Sequence, residues 1–424
     1  MITPALIGNF LTKYGGLVDS LPEIGSFAEM LPFKQQAKIG EKYSVSFLAG
    51  IEHGQTASRA GGLFDLNPAI GAEVPRAELD GSTIIMRAQY AWDDVYASLN
   101  GKDSSYQDVM SLKMKAKGMG GSLYRDLALA YGPGAGSVLA SNIGVIKTNA
   151  AGALSTARDV FLTKQSYIRG LWPSMRNALV DIYTSDLTTL RVADVTIRGN
   201  PNVTKTLVRM YKAGSAITPQ AGDVIVPKGW RQNSCIGFEA IMNTSSGPLW
   251  GIADVAEYSQ FRTPVFSASN GPLSLQLIRE WCALIADSGS KQGGTFKVAG
   301  SAFAALANEY SGKNRDTSSG GVKKQGETGL LFDTPAGLVK VETWDLAKQG
   351  QGMYVANSSG AYRVGTTDNT MRPIKGLNEG FLTALTEKAG CQSMMYSNQA
   401  PFCDNNWHNF LVTDIASPGD CAES

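Results

Sequence analysis

The chain offers few histidines with which to build a catalytic or metal-binding site. Its 424 residues include two, His53 and His408, whereas a zinc site needs three or four ligands at short spacing. His408 lies near Cys403 and Asp404, and these three groups together could hold a metal ion. An ordinary loop histidine explains that neighbourhood equally well, so the sequence predicts no metal site and no cofactor.

Two short motifs resemble catalytic signatures but stand in the wrong context. The glycine-rich segment 132–136 follows a predicted helix, whereas a dinucleotide-binding GxGxxG loop follows a strand and opens a helix. Segment 288–291 matches SxxK, but it stands at a predicted helix end and has no KTG companion. We interpret the first as a helix stop and the second as a chance match.

Carboxylate pairs are a further source of acid–base chemistry. Asp93 and Asp94 are adjacent, and adjacent strand residues point to opposite faces, so they are more simply a polar strand end. Asp181 and Asp186 form a second candidate pair. We predict no catalytic residue and a protein that is not an enzyme, with an α+β hydrolase that uses a carboxylate pair as the enzymatic alternative.

Composition favours a chain that contacts other protein. The 38 Lys and Arg residues against 37 Asp and Glu give a net charge of +1, and only 18% of residues are charged, against about 25% in an ordinary domain. A free nucleic-acid binder needs a surplus of cations. Charge near zero also removes one ordinary defence against self-association.

The cysteines and the apolar runs indicate the compartment. Five widely spaced cysteines without a CxxC pair predict reduced, mostly buried thiols in a cytosolic setting. The chain shows no basic segment ahead of an apolar run at its start, and no run of 18 apolar residues. We therefore expect neither a signal peptide nor a membrane span.

The N-terminal part of the chain predicts an extended hairpin. Segment 43–51 alternates apolar and polar residues, and segment 83–90 is rich in β-forming residues. The thirty or so residues between them hold glycines and prolines, and a structureless loop of that length is uncommon unless it is functional. Two such strands bury little alone, so we expect an arm that rests on another surface.

The remainder predicts interspersed helices and strands. Residues 104–131 read as a long helix with a glycine interruption at Gly118 and Gly120-Gly121, which ends at Gly132. Without a regular βαβ rhythm the fold class is α+β. Further predicted elements are helices at 273–285 and 301–310, a loop at 313–327, and strands at 295–298, 337–341, 352–355 and 362–364.

The order of these elements resembles that of the major capsid (coat) proteins of tailed bacteriophages, which have the Hong Kong 97-type fold. Segments 43–51 and 83–91 look like the strands of the E-loop arm, and the acidic stretch 77–82 leads into the second. Residues 125–134 look like the end of the spine helix, and residues 296–306 like part of the axial domain.

The resemblance implies a division of the chain into five parts. They are an N-terminal arm (1–42), an E-loop hairpin (43–92), a peripheral domain with a spine helix near 104–131 (93–214), a mainly axial domain (215–365) and a return to the peripheral domain (366–424).

The resemblance also implies the function and the partners. We expect a structural virion protein, assembled in the host cytoplasm, that forms hexamers and pentamers of an icosahedral capsid around double-stranded DNA. The arm-like strand begins by Tyr43, so a separate scaffolding protein is expected, with a portal protein and possible decoration proteins, and no membrane partner. Residues 52–82 contain no lysine, which predicts a shell without lysine cross-links. An encapsulin-like nanocompartment is the alternative.

Two sets of residues are predicted to make contacts outside the subunit, one set with other copies of the chain and the other with DNA. The resemblance to capsid proteins implies that the arm strands contact other subunits, and the candidates on them are Tyr43, Val45, Phe47, Ile85 and Arg87. A short basic stripe is predicted either to be a solvated helix face or to face packaged DNA, and it consists of Lys113, Lys115 and Lys117.

Overall fold

Strands make up more of the described chain than helices do. The structure is a computed structural model that describes residues 27–57, 65–91, 104–134, 142–149, 157–244, 246–313, 329–370, 383–384 and 389–422. The strands are β1 (Phe33–Gln35), β2 (Tyr43–Ser46), β3 (Arg76–Leu79), β4 (Ser82–Ala91), β5 (Gly144–Asn149), β6 (Ala157–Leu162), β7 (Leu179–Tyr183), β8 (Leu190–Gly199), β9 (Leu207–Tyr211), β10 (Val224–Pro227), β11 (Val265–Ser267), β12 (Gly294–Val298), β13 (Gly329–Thr334), β14 (Gly337–Thr343), β15 (Gly352–Ala356), β16 (Ala361–Thr370), β17 (Thr383–Ala384), β18 (Gly390–Cys403) and β19 (Phe410–Thr413). The α-helices are α1 (Ser104–Tyr131), α2 (Leu171–Ser174), α3 (Trp230–Asn233), α4 (Phe238–Asn243), α5 (Leu275–Asp287) and α6 (Gly300–Lys313).

The long helix α1 packs on a sheet formed by β1, β16, β18, β17 and β4. It is continuous through the glycines at which the sequence predicts an interruption. A Cβ on Gly120 would lie 2.9 Å from the methyl group of Met86, and one on Gly121 would collide with the sulfur of Met395. The two glycines therefore allow the helix to approach the sheet closely, although each costs about 1 kcal/mol of helix propensity.

Strands β5 to β10 close into an antiparallel barrel in the order β10-β5-β6-β9-β8-β7. Apolar side chains fill its interior, among them Ile146, Val160, Ile182, Val195 and Met210. The sequence analysis predicts no barrel. Irregularities in register between β5 and β6, β7 and β8, and β8 and β9 interrupt the period-2 alternation by which strands are recognised.

A second sheet has the order β11-β19-β15-β12-β14-β13, and helices α5 and α6 pack against it. Its apolar core is separate from the larger core that joins α1, the barrel and the arm. The Ser274 side chain caps α5 by accepting a hydrogen bond from Leu277 N at 3.3 Å. Both helices and the strands β12, β14, β15 and β16 lie where the sequence predicts them, within a few residues, except that β16 extends to Thr370.

The domain division stays a prediction. Three strands pair with strands from a different part of the predicted division. β10, in the segment predicted to be mainly axial, closes the barrel, and β16, which begins in the same segment, pairs with β18. β19, in the segment predicted to return to the peripheral domain, lies in the six-stranded sheet. Residues 1–26 and most of the predicted loop at 313–327 lie outside the described residues. No helix in the described part is long and apolar enough to cross a membrane.

The arm pairs differently from the sequence prediction. β2 pairs with β3, and bridges from Gly50 to Glu73 and from His53 to Ile70 continue this ladder outward. β4, the predicted return strand of the arm, instead pairs along its length with β18. The predicted pairing of 43–51 with 83–91 is therefore wrong. The chain turns at Gly81, where a Cβ would lie 2.8 Å from the side-chain oxygen of Asn398.

Candidate assembly interface

The arm has a root that is anchored in the body of the chain. We define the arm root as β2 with Phe47, and β3. The Phe47 ring lies 4.7 Å, edge to face, from the ring of Phe261. The Tyr43 hydroxyl accepts a hydrogen bond from Thr366 N at 3.0 Å and also bonds the Asn398 side chain. These contacts hold the root in the larger core.

Beyond the root the arm exposes apolar side chains to solvent. We define the arm tip as residues 48–57 and 65–74, of which none is buried. Exposed aliphatic groups at this density are typical of an interaction surface rather than of scattered surface residues. Their exposed fractions are 58% for Leu48, 64% for Ile51, 79% for Leu66, 60% for Ile70 and 58% for Val74.

The arm tip is also acidic. It carries Glu52, Asp65 and Glu73, and its described residues include no Lys or Arg. The Tyr258 hydroxyl donates a hydrogen bond to Glu73 Oε1 at 3.0 Å, which ties the proximal end of the tip to the body. The tip therefore presents a surface that is both apolar and negatively charged.

The structure divides the predicted inter-subunit residues into two groups. Tyr43, Val45 and Phe47 are buried within this chain, with exposed fractions of 0%, 9% and 7%, so their side chains serve the arm root. Ile85 and Arg87 are exposed on the face of β4. The division follows from the alternation of each strand, because β2 turns its apolar face inward and β4 turns Ile85 outward.

The three lysines of the predicted basic stripe also differ in their surroundings. Lys117 is buried and donates a hydrogen bond to Ser393 Oγ at 2.7 Å, and burial lowers the pKa of its ammonium group. The Lys113 ammonium lies 5.3 Å from the centre of the Tyr90 ring, while Lys115 is exposed. The stripe therefore does not form one continuous cationic surface.

The residues considered for metal binding do not form a site. No group of three or more His, Cys, Asp and Glu side chains comes together within the described ranges. His408 Nδ1 lies 3.1 Å from Ser358 Oγ, and its Nε2 lies 3.3 Å from Asn405 Nδ2. Cys403 is buried, and burial raises the pKa of its thiol to about 12. All five cysteines are buried and free, as the sequence predicts.

The candidate carboxylates have structural partners. Asp181 accepts hydrogen bonds from Asp194 N at 3.0 Å and Gly229 N at 3.3 Å. Asp186 accepts bonds from the hydroxyls of Thr184 and Thr188, which lower the pKa of its carboxyl to about 2. Each aspartate thus orders neighbouring backbone or a turn; Asp93 and Asp94 lie outside the described residues.

A polar cavity of about 230 Å³ lies between the barrel and α4. Its lining includes Glu239 and Lys348, a buried pair in which the Lys348 ammonium donates to both carboxylate oxygens at 2.6 and 2.7 Å. The two buried charges are already engaged with each other through these hydrogen bonds. We therefore assign this pair a structural part.

The sequence analysis missed the residues that the arm tip exposes. Leu66, Ile70 and Val74 fall in the segment read as a loop, and their spacing of four residues, among glycines and prolines, gives no alternating strand signal. The available signal was the density of aliphatic residues in a loop that holds acidic but few basic residues. Such a loop is unfavourable in water unless another surface covers it.

Comparison with known proteins shows which solved structures have a similar architecture. Neither a scan of family models nor a search of curated proteins gave a match. Among solved structures, a chain of the cyanophage A-1(L) capsid asymmetric unit is similar over 94% of this chain and 95% of its own length, with a TM-score of 0.53 and 8% identity. The cyanophage P-SCSP1u capsid covers 96% and 92% at a TM-score of 0.46 and 9% identity. The Synechococcus elongatus encapsulin covers 96% and 95% at a TM-score of 0.40 and 8% identity.

The first likeness extends over nearly the whole of both chains, so it concerns the complete fold and not one shared motif. It agrees with the mixture of helices and strands described above. The chain has the Hong Kong 97-type capsid fold that its sequence resembles.

Proposed function

We propose that this protein is a structural subunit that self-assembles into hexamers and pentamers of an icosahedral capsid enclosing double-stranded DNA, and that it resides in the virion. The observation that carries the proposal is the arm, whose root is fixed in the core while its tip exposes apolar groups. A tip whose large apolar side chains are left mostly exposed by its own chain is suited to lie on a neighbouring copy.

The inter-subunit contacts are then assigned to exposed residues. The arm tip supplies most of the apolar area, and Ile85, Arg87 and Met394 add an exposed strip on β4 and β18, where Arg87 pairs with Met394. Tyr43, Val45 and Phe47 aim the arm from its root. A rigid root with an adaptable tip suits a subunit that makes similar contacts at different angles in pentamers and hexamers.

Other partners and roles follow from the same proposal. The subunit acts as a non-enzymatic wall, is assembled in the host cytoplasm, and works with a separate scaffolding protein, a portal protein and, in some shells, decoration proteins. Lys113 and Lys115 are the remaining candidates to face DNA, since Lys117 is buried against Ser393. Peripheral and axial domains correspond to the sheet under α1 and the six-stranded sheet.

The proposal is tested by expressing the full chain alone and together with candidate scaffolding proteins, followed by sedimentation and electron microscopy. We expect closed isometric shells whose yield and size regularity increase with the scaffolding protein. Uniform shells from the chain alone, filled with a host protein, would favour the encapsulin-like alternative. A chain that stays monomeric at high concentration and hydrolyses a small substrate would overturn the proposal in favour of the hydrolase alternative.

A further inference from the structure

The near-zero net charge of the chain conceals a strong separation of charge between the barrel and the remainder. Residues 144–233, which contain the barrel and α3, hold 12 Lys and Arg against five Asp and no Glu, a net charge of +7. The other residues hold 26 Lys and Arg against 32 Asp and Glu, a net charge of −6. Such a separation produces an attraction between copies that the total of +1 does not indicate.

Part of this positive charge lies on one outer face of the barrel. Strands β7, β8 and β9 place Leu179, Thr196 and Tyr211 side by side, since Thr196 pairs with both of the others. The Arg198 guanidinium lies 5.0 Å from the centre of the Tyr211 ring and donates to Asn177 Oδ1 at 3.1 Å. We define the barrel patch as the exposed residues Leu179, Arg198 and Arg209 and the half-buried Tyr211 on this face, together with exposed Arg176, which directly precedes Asn177.

The barrel patch is apolar as well as basic. Leu179 is 44% exposed, and the aliphatic stem of an arginine that lies over a tyrosine ring adds further apolar surface. Arg209 is partly neutralised by Asp159, with which it makes two bonds of 2.7 Å. A surface of this kind matches a partner that offers aliphatic groups and carboxylates together.

The arm tip is such a partner, because its exposed aliphatic residues stand among Glu52, Asp65 and Glu73 with no described Lys or Arg. We propose that the arm tip of one copy docks on the barrel patch of a neighbouring copy. The tip is exposed in its own chain, so the barrel that covers it belongs to another molecule. Ten residues beyond the root give the tip a reach of roughly 33 Å when extended.

Duplex DNA is the competing partner for a basic surface. A phosphate backbone offers negative charge but no aliphatic groups to cover Leu179, and it leaves the acidic and apolar arm tip without a partner. The docking of tip on barrel covers both surfaces at once. This inference rests on the proposed function, and it adds which two surfaces of the subunit meet.

The test is a charge exchange between the two surfaces in the full-length chain. The barrel variant is Arg176→Glu with Arg198→Glu, the tip variant is Glu52→Lys with Asp65→Lys, and the exchange variant carries all four changes. The control is Lys147→Glu, an exposed cation on β5, three strands away from β8 around the barrel. Circular dichroism and thermal melting identify any variant that fails to fold.

The readout is the concentration at which half of the chains sediment as shells. Repulsion between like charges should raise it by about tenfold or more in the barrel and tip variants, with the wild-type value restored to within about threefold in the exchange variant. The Lys147 control should match the wild type. Raising the ionic strength to about 0.5 M should reduce the differences, since salt screens exposed charges.

Three results would overturn the inference, and they are distinguishable from one another. Unchanged assembly of both two-site variants, while the wild type forms shells, removes the docking contact and leaves the proposed function intact. A barrel variant that loses binding to a 30-base-pair duplex probe of about 20 kDa, with no rescue by the exchange variant, assigns the patch to DNA. Absence of shells from the wild type, with and without scaffolding protein, removes the proposed function and the inference together.

Discussion

The arm tip and the six-stranded sheet both contain large apolar side chains, but the sheet buries them and the tip exposes them. In the sheet, Phe296, Tyr354 and Phe410 are fully buried against one another and against α5. In the tip, Leu66 and Ile70 are 79% and 60% exposed. The sheet has an apolar core of its own, whereas the tip has apolar residues without a core. The difference indicates which part of the chain stabilises the subunit and which part is left for association.

Removal of the arm tip should have the largest effect on assembly. Replacement of residues 51–72 by Asn-Gly closes the ladder with a two-residue turn between Gly50 and Glu73, whose backbone groups exchange hydrogen bonds. We expect shells to be lost, as judged by sedimentation and electron microscopy. The midpoint of urea unfolding should remain near that of the wild type, because none of the described side chains that are deleted is buried. Shells of normal yield from this deletion would contradict the assignment of the tip to association.

The opposite result is expected in the centre of the six-stranded sheet. The Phe410 ring lies 4.5 Å from the Tyr354 ring and 5.5 Å from the Phe296 ring, so Phe410→Ala leaves a cavity among aromatic groups. It should lower the free energy of unfolding by about 3–5 kcal/mol, measured by urea denaturation. Leu338→Ala, on β14 of the same sheet and 48% exposed, is the matched control and should cost far less. Equal costs for the two changes would contradict the core assignment.

The helix α1 and the six-stranded sheet show how far the sequence predicts the fold. Regular apolar stripes and glycine stops predict α1 and α5 to within a few residues, because local periodicity determines them. The sequence predicts that the glycines interrupt α1, whereas in the structure they allow Met86 and Met395 of the sheet to approach the helix closely. That reason is a tertiary contact, and no pattern within the helix indicates it.

The barrel and the arm show why the rest of the site was not predicted. The barrel strands are short and irregular in register, so their alternation is weak. The arm alternation was recognised, but alternation alone does not say which face is covered by the chain itself. Tyr43 and Phe47 are covered by residues more than 200 positions away, Phe261 and Asn398, whereas Ile70 is left 60% exposed.

A substitution in the arm root should reduce stability by more than the arm-tip deletion does and by no more than Phe410→Ala does. Phe47→Ala removes the contact with Phe261 and should cost about 3 kcal/mol, the lower end for a buried aromatic residue, because the root can open locally without unfolding the sheet. Hydrogen exchange of the amides of Ala49 and Glu73 should become faster. The neighbouring change Leu48→Ala, at a residue that is 58% exposed, should leave exchange and stability near the wild-type values. Faster exchange in both variants would mean that the root is not anchored by its inward face.

The smallest effect on stability is expected at Ile70. A substitution there tests most directly the contrast between the arm tip and the six-stranded sheet. Ile70→Ser replaces an exposed aliphatic group by a polar one, so the free energy of unfolding should change by no more than about 0.5 kcal/mol. If the tip is buried on a neighbouring copy, each contact loses about 1.5 kcal/mol of apolar burial. The concentration for half-assembly should then increase about tenfold, since 1.4 kcal/mol corresponds to a factor of ten.

Ala72→Ser is the control for Ile70→Ser, because it introduces the same hydroxyl at an exposed tip position that has little apolar area to lose. Sedimentation should separate the two variants, while urea unfolding should not. If both variants assemble like the wild type, the aliphatic residues of the tip contribute nothing to association, and their exposure has another cause. If both variants lose assembly and are also destabilised to the same extent, the tip belongs to the folded body of the subunit. The contrast with the six-stranded sheet then does not hold.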